Sequence, residues 1–272
     1  MSLIPEETIE PLTRIDSVDA AAIDEDAARE ALDRTALIKL NGGLGTSMGM
    51  DRAKSLLPVR GGRTFLDLLV DQVMAARRRY GARLPLIFMN SFRTRADTLA
   101  ALAARPGVEV DGLPLDFLQN REPKLRADDL SPVQWPADPE LEWCPPGHGD
   151  IYTALVASGV LDALLERGYR YAMTSNSDNL GAAPSARLAG WFAASGTPYA
   201  PEAEGLGERL PAVGAAVGLP FGVGPPQGAF PFVVFGLLGD PPGAGVVVPG
   251  GLPTEEAPQR DALLAGYSHV GA

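Results

Sequence analysis

The sequence predicts an α/β fold, a mostly parallel sheet with helices on both faces. Between about residues 36 and 174, apolar runs of strand length alternate with segments of helical periodicity. Two of these runs end on polar or glycine-rich clusters, at 41–46 and 175–179, where ligands bind such sheets, outside the carboxyl ends of the strands. A chain of 272 residues with 46% hydrophobic content is long and apolar enough to bury a substantial core.

In chain order, residues 18–33 read as an amphipathic helix, with Ile23, Ala27, Ala31 and Leu32 on one stripe. Ala36 to Leu40 is a strand. Thr64 to Tyr80 is a helix, with Phe65, Leu68, Leu69, Val73 and Met74 at helical spacing, opened by a Thr64/Asp67 capping box with a shortened acid. Leu84 to Met89 is a buried strand, Thr94 to Ala104 a helix and Leu113 to Gln119 a strand. A single helix covers Gly149 to Arg167, with Asp150 near its cap. Tyr169 to Thr174 is the next strand, running into the polar cluster.

The formal net charge is −11, unevenly spread. Residues 36–124 hold fourteen Lys/Arg against eight Asp/Glu, a net of +6, which leaves −17 for the rest. An acidic chain with a locally basic region suits a small anionic ligand and argues against nucleic acid as partner. The triplet Arg77-Arg78-Arg79 reads as a solvated helix face. No apolar run approaches the roughly 20 residues that span a bilayer, and residues 1–33 lack the basic and apolar regions of a signal peptide. The single Cys144 excludes an internal disulfide and a zinc site with several cysteine ligands. These features predict a cytoplasmic enzyme without a membrane partner.

The most informative segment is Lys39 to Lys54, KLNGGLGTSMGMDRAK. A strand that ends on Asn41-Gly42-Gly43 frees backbone N–H groups to approach a phosphorylated ligand. Thr46 and Ser47 add hydroxyls, and Lys54 adds a flexible ammonium. It is not a Walker loop, because Gly45-Thr46-Ser47 lacks the lysine. It is not a dinucleotide fingerprint either, because Met48 stands where the third glycine belongs. Three further segments carry polar groups. His148 lies between Gly147 and Gly149 just before a helix; residue chemistry alone fits a surface loop as well as a ligand contact. Asn176-Ser177-Asp178-Asn179 at a strand end could hold Mg²⁺ against phosphate oxygens, although these residues also serve an ordinary turn. Gln119 offers an amide matched to a base edge, with Arg121 and Lys124 supplying charge.

Taken together, LNGGLGTSMG at 40–49, Lys54-Ser55, TFLDLLVDQV at 64–73, Phe117 with Gln119, PPGHGDIY at 145–152 and SNSDNLGA at 175–182 resemble the UDP-glucose pyrophosphorylase family, the eukaryotic-type UTP–glucose-1-phosphate uridylyltransferases. The resemblance covers roughly residues 35–200. It implies a Rossmann-like nucleotidyltransferase sheet and transfer of uridylyl from UTP to glucose 1-phosphate, with Mg²⁺ as cofactor. It further implies that Leu40, Asn41, Gly42 and Gly43 line the UTP site and that Lys54 meets the phosphates. Gln119 and Gly147 would contact uridine, and His148, Asn176 and Ser177 the sugar phosphate. Asp178 would hold the metal, and Lys54 and Asp178 would be catalytic. Related N-acetylhexosamine enzymes share the chemistry, but the GTSMG form of the loop argues for glucose. One departure is Met50-Asp51-Arg52-Ala53, where the family usually carries Cys-Lys-Gly-Pro.

The chain divides into an acidic helical segment at 1–34, a partial nucleotidyltransferase core at 35–200 and a tail at 201–272. The tail holds fifteen Gly and eleven Pro in 72 residues, 36% against 15% before it, a composition that predicts poor order. No lysine follows Lys124, so the family's later phosphate-binding lysine has no counterpart. Neither the family's further sheet strands nor its left-handed β-helix is legible. The expectation is a fragment or a frame-shifted product, although Arg209 and Arg260 alone are few arginines for the latter, with simple divergence of the tail as the alternative. The alternative to an active transferase is therefore a truncated, catalytically dead module that binds UTP.

Overall fold

A computed structural model of the chain describes residues 18, 21–44, 52–110, 112–197, 199–203 and 232–237. Helix α1 (Glu25–Asp33) leads into β1 (Thr35–Asn41); a small hairpin, β2 (Pro58–Arg60) and β3 (Arg63–Thr64), precedes α2 (Phe65–Tyr80). Then come β4 (Leu86–Asn90), α3 (Arg95–Ala103), β5 (Asp116–Leu118) and a second two-stranded pair, β6 (Glu122–Pro123) with β7 (Trp143–Cys144). The chain continues through α4 (Ile151–Ala157), α5 (Val160–Glu166), β8 (Tyr171–Asn176), α6 (Ala186–Ser195), β9 (Tyr199–Ala203) and β10 (Phe232–Leu237).

The central sheet has the order β5-β4-β1-β8-β10-β9. The four strands from β5 to β8 are parallel, and β10 runs antiparallel to both β8 and β9. From β1 the chain first builds outward to β4 and β5, then returns to place β8 on the other side of β1. The carboxyl ends of β1 and β8 therefore flank the point where strand order reverses, the place where open α/β sheets hold ligands. Alternation along β1 feeds two cores. Leu37 packs with α1, α2 and α6 on one face, whereas Ala36 and Ile38 pack with α4 and α5 on the other.

Local sequence explains the helix ends. Asp24 caps α1 by accepting from Ala27 N at 2.8 Å. Thr64 caps α2, its Oγ1 accepting from Asp67 N at 3.2 Å while Asp67 Oδ2 accepts from Thr64 N at 2.9 Å, the expected capping box. Helices α1 and α6 pack so closely that a Cβ on Gly190 would lie 2.8 Å from the Ala28 backbone.

Several expectations need correction. The first helix starts at Glu25, not 18, and buries Ala28, Ala31 and Leu32 rather than Ala27. The buried face of α2 is Leu66, Leu69, Val70, Val73 and Ala76, one position round from the predicted stripe. Arg77 is not solvated like its neighbours: its guanidinium donates to the carbonyls of Leu84, Gly107 and Val108. The helix expected over 149–167 is two helices, because Gly159 takes φ +75° and breaks the ladder between α4 and α5. Strands β9 and β10 extend the sheet past residue 200, against the expectation that no further strands follow; the rest of 204–272 lies outside the described residues. No described helix is long and apolar enough to cross a membrane.

Candidate active site

A cavity of about 310 Å³ opens at the carboxyl ends of β1 and β8. Its floor is the end of β1. Leu40 faces the cavity, and Gly42 and Gly43 continue it as bare backbone. The close approach at Gly42 is enforced from above: a Cβ there would lie 2.5 Å from Gln119 Oε1. Gln119 follows β5 and is fixed by its own N–H, which donates to Asn90 O at 2.9 Å. The loop after Gly43 returns on itself through a bridge between Leu44 and Ala53. Lys54 N then donates to Gly43 O at 3.3 Å, which sets the Lys54 side chain beside the glycines. Thr46 and Ser47 lie outside the described residues.

The opposite wall comes from the segment after β8. Ser177 N donates to Leu40 O at 3.0 Å, so Asn176, Ser177 and Asp178 peel away from the sheet directly over the cavity. Asp178 Oδ2 stands 3.9 Å from Lys54 Nζ, and both side chains remain more than a third exposed. Such a pair is worth on the order of 0–1 kcal/mol, so the two charges are available to a ligand. The third wall is Pro145, Gly147 and His148. Partial loss of water lowers the His148 pKa, Asp178 opposes this and Lys54 adds to it, so the imidazole is mainly neutral at pH 7. Asp150 ties this wall to the base of Gln119: its carboxylate accepts from Asn120 N and Nδ2 at 2.6 Å each.

Ten of the eleven expected site residues line this one cavity. The exception is Asn41. It is buried and turned away, its Nδ2 donating to Asn90 Oδ1 at 2.8 Å and Thr98 Oγ1 at 2.9 Å, while its Oδ1 accepts from Ser177 Oγ at 2.8 Å. Asn90 in turn donates to Asp116 Oδ2 at 3.1 Å, which Arg95 pairs at 2.9 Å. Asn41 thus braces Ser177 rather than lining the pocket. Arg121 also points elsewhere: its guanidinium stacks 4.5 Å from the Trp143 ring centroid and 5.9 Å from that of Phe92.

The family model for UTP–glucose-1-phosphate uridylyltransferase matches residues 2–204. The chain belongs to this family. Among relatives of the uridylyltransferase family, that of Musa acuminata is 41% identical over 184 residues, covering 66% of this chain and 38% of the relative. That of Solanum tuberosum is 43% identical over 165 residues, covering 60% and 34%. The chain thus spans less than half the length of these relatives. A mutant UDP-glucose pyrophosphorylase from Leishmania major, solved in complex with UDP-glucose, superposes with a TM-score of 0.64 at 42% identity over 72% of this chain and 41% of that one. The Trypanosoma brucei UDP-glucose phosphorylase gives 0.63 at 40% identity, covering 72% and 42%.

Sequence reasoning missed Met89 and Pro145, which line the cavity, and gave Asp150 only a capping role. It also passed over Lys39, whose signal was plain: a lysine inside an otherwise apolar strand.

Proposed function

We propose that this cavity binds UTP and glucose 1-phosphate and transfers uridylyl from one to the other. The convergence of the expected residues at a single strand-order switch point supports this reading. A phosphate oxygen of the sugar attacks the α-phosphorus in line, a new P–O bond forms, and the bond to the β-phosphate oxygen breaks to release pyrophosphate. This asks little covalent work of the protein; positioning and charge stabilisation dominate. Gly42 and Gln119 hold the uracil edge between backbone and amide. Lys54 offsets phosphate charge. His148, whose pKa burial lowers in the ligand-free chain, offers the sugar phosphate a hydrogen bond from its imidazole.

Asp178 is the carboxylate that lines the cavity, and no cluster of three or more His, Cys, Asp or Glu groups exists among the described residues. That donor set fits Mg²⁺, which takes one or two carboxylates and completes its shell with phosphate oxygens and water. The ion would supply charge neutralisation between the two anionic substrates.

Pyrophosphate release that requires both UTP and glucose 1-phosphate is the expected result, and Lys54→Ala should weaken UTP far more than uridine in calorimetry. Equal weakening of both would mean that Lys54 acts through structure. UTP binding without release would identify a nucleotide-binding module instead. Gly42→Ala is expected to leave the thermal midpoint nearly unchanged, because the Gln119 side chain can swing away, yet to weaken UTP about tenfold through the displaced amide. Unaltered UTP affinity would remove Gln119 from base recognition.

A further inference from the structure

We propose that Lys39 is a positioning residue for this site, its buried amine stapling the loop that carries Asn176, Ser177 and Asp178. The inference rests on the functional reading above for what the loop does, and on geometry alone for how the loop is held. Lys39 sits mid-strand in β1 and is 2% exposed. Burial lowers its pKa to about 8, and no acid among the described residues offsets that effect. An interior ammonium without a counter-ion is costly, and an apolar side chain would serve a purely structural role in the strand better, as Leu37 does on the same face.

What Lys39 does instead is bridge two distant points of one segment. Its Nζ donates to Ser175 Oγ at 2.6 Å and to Ala182 O at 3.1 Å. Ser175 is the last buried residue of β8 before the chain leaves the sheet, and Ala182 is where it re-enters the core. Between them, Asn176, Ser177 and Asp178 form the cavity wall. Lys39 pairs in register with Ser175, and two residues on along the same face Asn41 accepts from Ser177. The middle of the loop is tied by Gln72, which donates to Leu180 O at 2.9 Å, and by Asn179 Oδ1, which accepts from Gly181 N and Ala182 N. Among the described residues the Lys39 side chain bonds both ends of the excursion, so it closes the base of the loop on which Asp178 faces Lys54, while Asn41 and the Leu40 carbonyl brace Ser177 on the near side.

The test is amide exchange by NMR on the full chain, wild type against Lys39→Met. The amides of Ser177, Asn179 and Ala182 are expected to exchange about tenfold faster in the variant, while those of β1 and β4 keep their protection. Affinity for UDP-glucose should fall about tenfold alongside. Unchanged loop exchange overturns the proposal, as does faster exchange with unchanged affinity, and as does protection lost equally across β1 and β4. If Lys39→Met does not fold, Ser175→Ala removes one anchor with the lysine in place and should loosen the same three amides selectively. The exchange measurement needs no ligand. A wild-type chain that binds no UDP-glucose would therefore overturn the functional reading, while the exchange rates still decide the staple.

Discussion

Asp178→Asn is expected to reduce UTP affinity in Mg²⁺ to its metal-free level and to lower turnover by roughly 100-fold or more. A metal acting on transferring phosphoryl groups supplies several kcal/mol, and each 1.36 kcal/mol is tenfold. The substitution keeps size and hydrogen bonding but removes the charge a hard cation needs. It should not disturb the fold. The carboxylate is 36% exposed, and its contact with Lys54 at 3.9 Å is worth on the order of 0–1 kcal/mol. Calorimetric titration of UTP with and without Mg²⁺, alongside the thermal midpoint, checks this. A variant whose UTP affinity still responds to Mg²⁺ like the wild type would displace Asp178 from the metal.

The parts of this fold legible in the sequence are those fixed by neighbours along the chain. Thr64 and Asp67 are three apart and announce their helix because the capping box is local. The phase of that helix was not legible: Leu68 and Met74 repeat at helical spacing as well as Leu66 and Val70 do, and only the sheet decides which row is buried. The break at Gly159 was hidden because an isolated glycine inside an apolar helical pattern can be tolerated, at a cost of about 1 kcal/mol against alanine, as well as end the helix. In the site, a strand ending on glycines located the cavity, but period-two alternation could also have turned Asn41 inward. It shares a face with Leu37 and Lys39, whereas Leu40 and Gly42 share the other. The serine partners of Lys39 and Asn41, Ser175 and Ser177, each lie 136 residues away and could not be read locally. Nor could β10, whose place beside β8 is a long-range pairing in a segment whose glycine and proline content argued against order.

Lys39 also makes a large pH-dependent contribution to stability, with a definite sign. In the folded chain its pKa falls from 10.5 to about 8 because burial disfavours the ammonium. Between those values the unfolded chain binds more protons than the folded one, so stability rises with pH. Below about pH 8 both states are charged and the folded state carries the full penalty, roughly 3 kcal/mol for that gap. The penalty disappears above 10.5, where both states are neutral. The two hydrogen bonds survive this change, since a neutral amine still has two N–H groups for Ser175 Oγ and Ala182 O. Lys39→Met removes the titration. It also strands those two acceptors, at about 1–3 kcal/mol each, so at pH 7 the variant and wild type should have similar stability. The slope separates them. Urea unfolding from pH 7.5 to 10.5 should show wild type gaining roughly 3 kcal/mol relative to Lys39→Met, while tyrosines and the other lysines titrate alike in both and cancel. A difference that stays flat across this range would mean that the Lys39 ammonium is better solvated than its 2% exposure implies.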